Sequence, residues 1–272
     1  MKMRRLFSMI LGLVVLAKLG TVANAQMTEH AAREQARSAV RSQLHLTPDK
    51  FLGVQRDEDL EQSLAEAVGR LAGSEFIYKV SPTGYELREN SIINHILIDG
   101  DLIYVIAVSP KDGSIHRIHG FADALAEFNN LMRAVGETVS SPEQAESLAD
   151  FYRDVNPENL PLTPISSLLD LKQAAERQCQ SGLSSFNTGQ EAFTTWWKHA
   201  KPLYAELSFK QTAVPRSGGY FVEWIVLSSA APHGSCGGAP LRARLEVSAD
   251  GHVGKVTFSP LRKGGLAQSR TN

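Results

Sequence analysis

Histidine, cysteine, serine and carboxylate side chains are where any chemistry of this chain must start, and few stand at useful spacings. His116-Arg117-Ile118-His119 has the form of a chelating pair. On a strand, however, residues three apart point to opposite faces, so two such imidazoles do not easily share one metal ion. His95 falls on a neighbouring strand-like run and raises the count to two histidines near one another, with no carboxylate assigned. Histidines on the surface of a sheet account for all three. His30, His45, His199 and His252 have no local partners. His233 and Gly234-Ser235-Cys236-Gly237-Gly238 have the composition of an active-site loop. They do not match G-x-S-x-G, and strand-like runs flank them on both sides, so the strand-to-helix turn that exposes a nucleophile is missing. The chain contains no H-E-x-x-H, no G-x-x-x-x-G-K-[ST] and no G-x-G-x-x-G. Asp99-Gly100-Asp101 lacks the spacing of a calcium loop and reads as a hairpin turn. The carboxylates are scattered, and no pair is singled out for acid/base work. The reading therefore assigns no catalytic residue, no metal and no cofactor.

Two constellations remain. Cys179 and Cys236 are the only cysteines, an even pair that reads as one disulfide in an oxidising compartment. The closed loop is long, and chain entropy alone would give it roughly 4 kcal/mol. A nucleophilic Cys236, or a Cys/His metal site with His233, are the alternatives. Trp196 and Trp197 lie at helical spacing with Phe193 and Tyr204. One of the pair at least belongs to the core; a ligand groove is the other use for them. Trp196, Trp197 and His233 are thus the candidate binding residues.

The amino terminus speaks to compartment. Lys2, Arg4 and Arg5 precede the apolar run Leu6–Ala17, and Ala23-Asn24-Ala25 is an A-x-A site. This is the pattern of a secretory signal peptide, residues 1–25, cut after Ala25. The run is shorter than the ~20 residues of a spanning helix, and no later run is long enough to span. A secreted or periplasmic location follows. Loss of the leader moves the formal charge from −1 to −5, since Lys2, Arg4, Arg5 and Lys18 leave with it. A mildly acidic chain without a basic stripe is a poor match for nucleic acid.

The elements that must position these residues follow from periodicity. Thr28 caps a helix to about Leu44, and Thr47-Pro48 starts a short turn or helix. Asp57-Glu58-Asp59 opens a helix carrying Leu60, Leu64, Val68 and Leu71, with Gly73 as its C-terminal cap. The period then becomes two. Phe76–Val80, Tyr85–Arg88, Ile92–Ile98, Leu102–Val108 and Ile115–Ile118 read as an antiparallel meander, turning at Pro82…Gly84, Asp99-Gly100 and Asp112-Gly113. Phe121, Leu125, Phe128, Leu131, Met132 and Val135 form a helical stripe ending at Gly136. Ser141-Pro142-Glu143-Gln144 is a capping box. Thr163-Pro164 opens a helix with Ile165, Leu168, Leu169, Ala175 and Cys179. A helix over 191–207 and four strand-like runs, Glu206–Val214, Tyr220–Ser228, Leu241–Ser248 and His252–Phe258, complete the chain before a disordered tail.

Two stretches rhyme. Val108-Ser109…Asp112-Gly113…Ile118 lies over Val247-Ser248…Asp250-Gly251…Val256, each a strand, an Asp-Gly turn and a strand. Chance is the competing account, because the phrase is common in hairpins. The fold class is α+β: two tandem helix-plus-antiparallel-meander units joined by a helical middle. The division is a signal peptide at 1–25, an N-terminal α+β unit at 26–136, a helical connector at 137–187, a C-terminal α+β unit at 188–262 and the tail at 263–272. The strand–Val-Ser-x-Asp-Gly–strand phrase, preceded in the second half by the helix over 191–207, resembles secreted PepSY-like and cystatin-like α+β modules. The resemblance covers about 92–118 and 241–258. It implies non-enzymatic work: binding a protein, peptide or small ligand in the envelope or medium, or restraining a peptidase. The alternatives are a secreted hydrolase with Ser235 or Cys236 and His233 in the 230–239 loop, and a structural protein that adds strands to a partner at a sheet edge.

Overall fold

A computed structural model describes residues 27–48, 52–69, 75–81, 103–136, 138–155, 164–181, 186–228 and 238–261. The leader, Tyr85–Arg88, Ile92–Ile98, His95, Asp99-Gly100, His233, Ser235, Cys236 and the tail lie outside them. Within the described residues the fold is α+β, with six helices and two separate four-stranded antiparallel sheets.

The first helix, α1 (Glu29–Gln43), begins where Thr28 accepts a hydrogen bond from the Ala31 N–H at 3.3 Å. Ala32, Ala36 and Val40 repeat every four residues and are fully buried. They press on Tyr78, Val80, Tyr104, Ile106 and Val108 of the first sheet. That sheet runs β1 (Gly53–Arg56), β2 (Phe76–Ser81), β3 (Tyr104–Val108), β4 (Ile115–His119) in this order. Four short residues of mixed polarity made β1 invisible to periodicity. Among the described residues the sheet is an antiparallel meander. β3 takes β2 on one side and β4 on the other. All five residues of β3 are buried, as a strand covered on both faces requires.

Between β1 and β2 lies α2 (Glu58–Ala67), whose cap Asp57 accepts from the Leu60 N–H at 2.9 Å. It ends at Val68, and Gly69, with φ +60°, supplies the left-handed residue expected at Gly73. The middle of the chain forms α3 (Ala124–Ala134) and α4 (Pro142–Val155). Ser141 caps α4 by accepting from the Gln144 N–H at 3.3 Å. The return arm of the box is shifted by one residue, since Gln144 accepts from the Ser140 N–H at 2.8 Å. Then come α5 (Leu168–Ser181) and α6 (Phe186–Tyr204). The start of α5 is set by Ser167, which accepts from the Asp170 N–H at 3.0 Å. Thr163-Pro164 precedes a different arrangement: the Ile165 N–H is donated to the Ile225 carbonyl at 2.8 Å. Ile165 is therefore outside the helix it was assigned to, and Leu169 is exposed.

The second sheet is β5 (Thr212–Arg216), β6 (Gly219–Leu227), β7 (Pro240–Ser248), β8 (Thr257–Pro260), again in sequence order. Both Asp-Gly turns form, each after the third strand of its sheet. Gly113 (φ +75°) donates to the Ser109 carbonyl at 2.9 Å, and Gly251 (φ +76°) to the Ser248 carbonyl at 3.0 Å. The run His252–Phe258 is not one strand. After the Val247–Val253 bridge the Gly254 N–H reaches the Glu246 carbonyl at 2.8 Å, and β8 starts only at Thr257.

The two sheets share one core. Leu60, Leu64, Ile77, Val105, Ala107 and Ile118 from the first half cluster with Val222, Trp224, Val226, Ala243, Leu245 and Val247 from the second. Phe128, Leu131, Met132, Leu148 and Phe151 of α3 and α4 fill the space between. The layers thus run α1, first sheet, α2–α4, second sheet, α5–α6. Strand alternation makes this possible: Val222, Trp224 and Val226 face the middle, while Ile225 and Leu227 face α5–α6. Asn129 clips the halves together, its amide accepting from the Val253 N–H at 2.9 Å and donating to the Val253 carbonyl at 3.1 Å.

Candidate functional site

The aromatic face foreseen on the helix over 191–207 exists on α6. Phe193 is the aromatic residue it buries, in a third cluster with Leu171, Ala175, Cys179, Ile225 and Leu227. Trp197 stacks on Phe193 with ring centroids 6.4 Å apart and planes 14° apart, and Trp196 stands 6.0 Å from Trp197. Both tryptophans are only half-buried, so Phe193 takes the core position expected of one of them. On the next turns Trp196, Ala200, Leu203 and Tyr204, with Thr195 and His199, line a cavity of about 260 Å³. Leu203 is 53% exposed there. The His199 Nδ1 lies 2.8 Å from the Thr195 carbonyl. A carbonyl can only accept, so Nδ1 carries the proton and Nε2 of the neutral ring is left as an acceptor. Burial pushes the Tyr204 hydroxyl up. The result is an apolar trough with an imidazole and a phenol at its rim. Trp197 does not line it, and His233 lies outside the described residues.

Cys179 is 1% exposed, and no free cysteine occurs among the described residues. The end of α5 is fixed to the end of β6 by Gln178, which donates to the Ser228 carbonyl at 3.1 Å. Gly238 (φ +40°) crosses this point so closely that a Cβ on it would stand 2.8 Å from the Gln178 Oε1 and 2.2 Å from the Ser228 carbonyl oxygen. Only glycine fits.

A second group of polar residues lies on the first sheet; His116 and His119 stood out in the sequence, and Glu75 and Ser109 did not. Glu75 and Ser109, which flank β2 and β3, and His116 and His119 on β4 are all buried. The histidines are therefore not surface residues of a sheet. Nor does β4 alternate strictly between them, because a bulge opposite Val105/Ile106 pairs Arg117 with Ile106 and His119 with Val105. Among the described residues no three His, Cys, Asp or Glu side chains are placed to hold a metal ion. Burial, with Asp112 adding to it, pushes the Glu75 carboxyl up to about 7. Burial holds the His116 imidazole below its usual range, against the pull of Glu127, 3.8 Å from its Nδ1, and of Asp112. The Glu75 Oε2 and both His116 ring nitrogens are buried with no hydrogen-bond partner, the kind of site that costs stability when charged.

A pH dependence follows from the signs. Unfolded, Glu75 ionises near ~4.3, whereas the fold keeps its proton to about 7. The folded state then binds more protons across that window, so Glu75 erodes stability as pH rises through it, by about 2 kcal/mol after solvent screening. His116 acts oppositely, since the fold resists a proton that the unfolded chain accepts below ~6.5. Glu75→Gln is expected to remove the alkaline loss, so that its urea midpoint rises from pH 5 to pH 8 relative to the parent. Parallel midpoints for the two proteins over that range would refute this role.

No family model, no curated protein and no solved structure matches the chain.

Proposed function

We propose that the protein is an exported binding module that performs no catalysis and takes an apolar ligand, or an apolar side chain of a protein or peptide, in the trough on α6. The observation that carries this reading is the cavity lined by Trp196, His199, Leu203 and Tyr204, with Leu203 more than half exposed. Aromatic and aliphatic walls with a few rim polar groups are the usual make-up of a ligand site. Export rests on Lys2–Ala25, and the likeness to PepSY-like and cystatin-like modules, like the tandem origin of the halves, rests on the two matched hairpins. Titration with 8-anilinonaphthalene-1-sulfonate tests the site. The mature protein is expected to bind it saturably, and Leu203→Glu, at an exposed position, to weaken binding at least tenfold with an unchanged melting profile. Equal binding by the two proteins contradicts the assignment.

A Cys179–Cys236 disulfide belongs to the same reading. Its support is the passage of Gly238, two residues from Cys236, across Gln178, the neighbour of Cys179. Such a bond would tie Cys236 to the end of α5. Thiol titration of the oxidised, unfolded protein is expected to find none; two thiols would refute the bond.

A further inference from the structure

His199 narrows the class of ligand that the α6 trough can accept. The lining falls into two adjacent stripes of the helix, with residues four apart in each. Trp196, Ala200 and Tyr204 make one, and Thr195, His199 and Leu203 the other. Ala200, 4% exposed, is the floor. Trp196 and Tyr204 stand at its two ends, on α-carbons ~12 Å apart at the helical rise. Trp196 is braced, its ring 6.4 Å from that of Phe193 and 6.0 Å from that of Trp197. A gap of this length over a methyl floor, about 260 Å³ in volume, takes one ring or two fused rings. It is smaller than the ~300–1,000 Å³ of sites for drug-sized ligands.

The polar groups around the gap are unequal. The Thr195 and Tyr204 hydroxyls both donate and accept, and the Trp196 indole N–H only donates. His199 offers an atom that only accepts. Its Nδ1–H is spent on the Thr195 carbonyl at 2.8 Å, so Nε2 lies on the side of the ring away from the backbone, with a lone pair and no proton in the neutral form. Among the described residues no Asp, Glu, Lys or Arg lines the trough, so a charge placed inside it would have no counter-ion. The lining comes from one helix, and a peptide main chain finds no sheet edge there to pair with.

We infer that the trough takes a free small molecule whose one or two uncharged rings carry an N–H or O–H group, and that His199 selects it by accepting that hydrogen at Nε2. The inference rests on the reading of the trough as the binding site. An acceptor that a ligand covers but leaves unpaired weakens binding, so a compound of the same shape without the donor is disfavoured.

The test is calorimetric titration of the full mature protein at pH 8, above the range in which a free imidazole is charged. Indole is compared with 1-methylindole, which lacks the N–H. Indole is expected to bind saturably and at least tenfold more tightly. His199→Phe, at an exposed position of α6, should bring the two affinities within twofold of each other with an unchanged melting profile. Equal binding of the two compounds by the parent, while 8-anilinonaphthalene-1-sulfonate still binds saturably and is lost in Leu203→Glu, would overturn the selection by His199 and leave the trough as the site. Binding of none of the three probes would overturn both. A preference for indole that survives in His199→Phe, or tighter binding of a tyrosine-containing tetrapeptide than of indole, would also overturn the inference.

Discussion

Replacing Phe128 by alanine is expected to cost about 3–5 kcal/mol and to melt both sheets in one step. Phe128 is fully buried, 5.5 Å from the Phe151 ring and edge-on to Tyr152 at 5.1 Å. Its helix, α3, lies on β4, while α4, which supplies Phe151 and Tyr152, lies on β5–β7. A cavity at this point therefore loosens the layer that both sheets bury. Small domains have ~5–15 kcal/mol in total, so much of the stability goes. In urea, the circular dichroism and tryptophan fluorescence transitions of the variant should coincide at a lowered midpoint. Two separated transitions, with only one shifted, would show that the halves hold independent cores.

Arg56→Met is expected to be as damaging for a different reason. Arg56 makes two bonds, of 2.8 and 2.7 Å, to Glu61, whose side chain is 4% exposed. It also reaches Glu29 at 3.2 Å and lies over the Phe76 ring. These carboxylates, Glu61 foremost, hold the guanidinium proton more tightly than usual. One side chain thus joins α1, β1, α2 and β2. Removing it leaves a buried carboxylate uncompensated, at a cost of about 3–5 kcal/mol. Removing both charges, as in Arg56→Met with Glu61→Leu, should recover part of the loss, because a well-packed apolar pair often replaces a buried ion pair without penalty. Recovery stops short by about 1–3 kcal/mol, since the Ile77 N–H loses the acceptor it finds in Glu61 at 3.0 Å. Equal urea midpoints for Arg56→Met and the parent would refute the account of this pair.

What was legible in the sequence was local chemistry. Thr28 announces its helix because a cap satisfies an N–H two or three residues ahead, and Asp57-Glu58-Asp59 because negative charge suits the positive end of a helix. Asp112-Gly113 and Asp250-Gly251 announce their turns because positive φ costs glycine nothing. Long-range consequences were not legible. Nothing in Gly53–Arg56 alternates, and β1 exists because β2 offers it an edge. Ser167 caps α5, while the Ile165 N–H finds its partner on β6. Glu75 is an ordinary surface residue by type; only the pairing of Phe76 with Val108 carries it into the end of the sheet beside Ser109. The trough was half legible. Trp196 and Tyr204 stood at helical spacing, but an apolar stripe would have buried Leu203, which is 53% exposed.

The central claim, that the α6 trough is where this protein binds, is tested most directly by mapping amide shifts in the isotopically labelled mature protein as 8-anilinonaphthalene-1-sulfonate is added. The account predicts saturable shifts centred on Thr195, Trp196, His199, Ala200, Leu203 and Tyr204, lost in Leu203→Glu. Shifts centred on another element, or none at saturating probe, would contradict it.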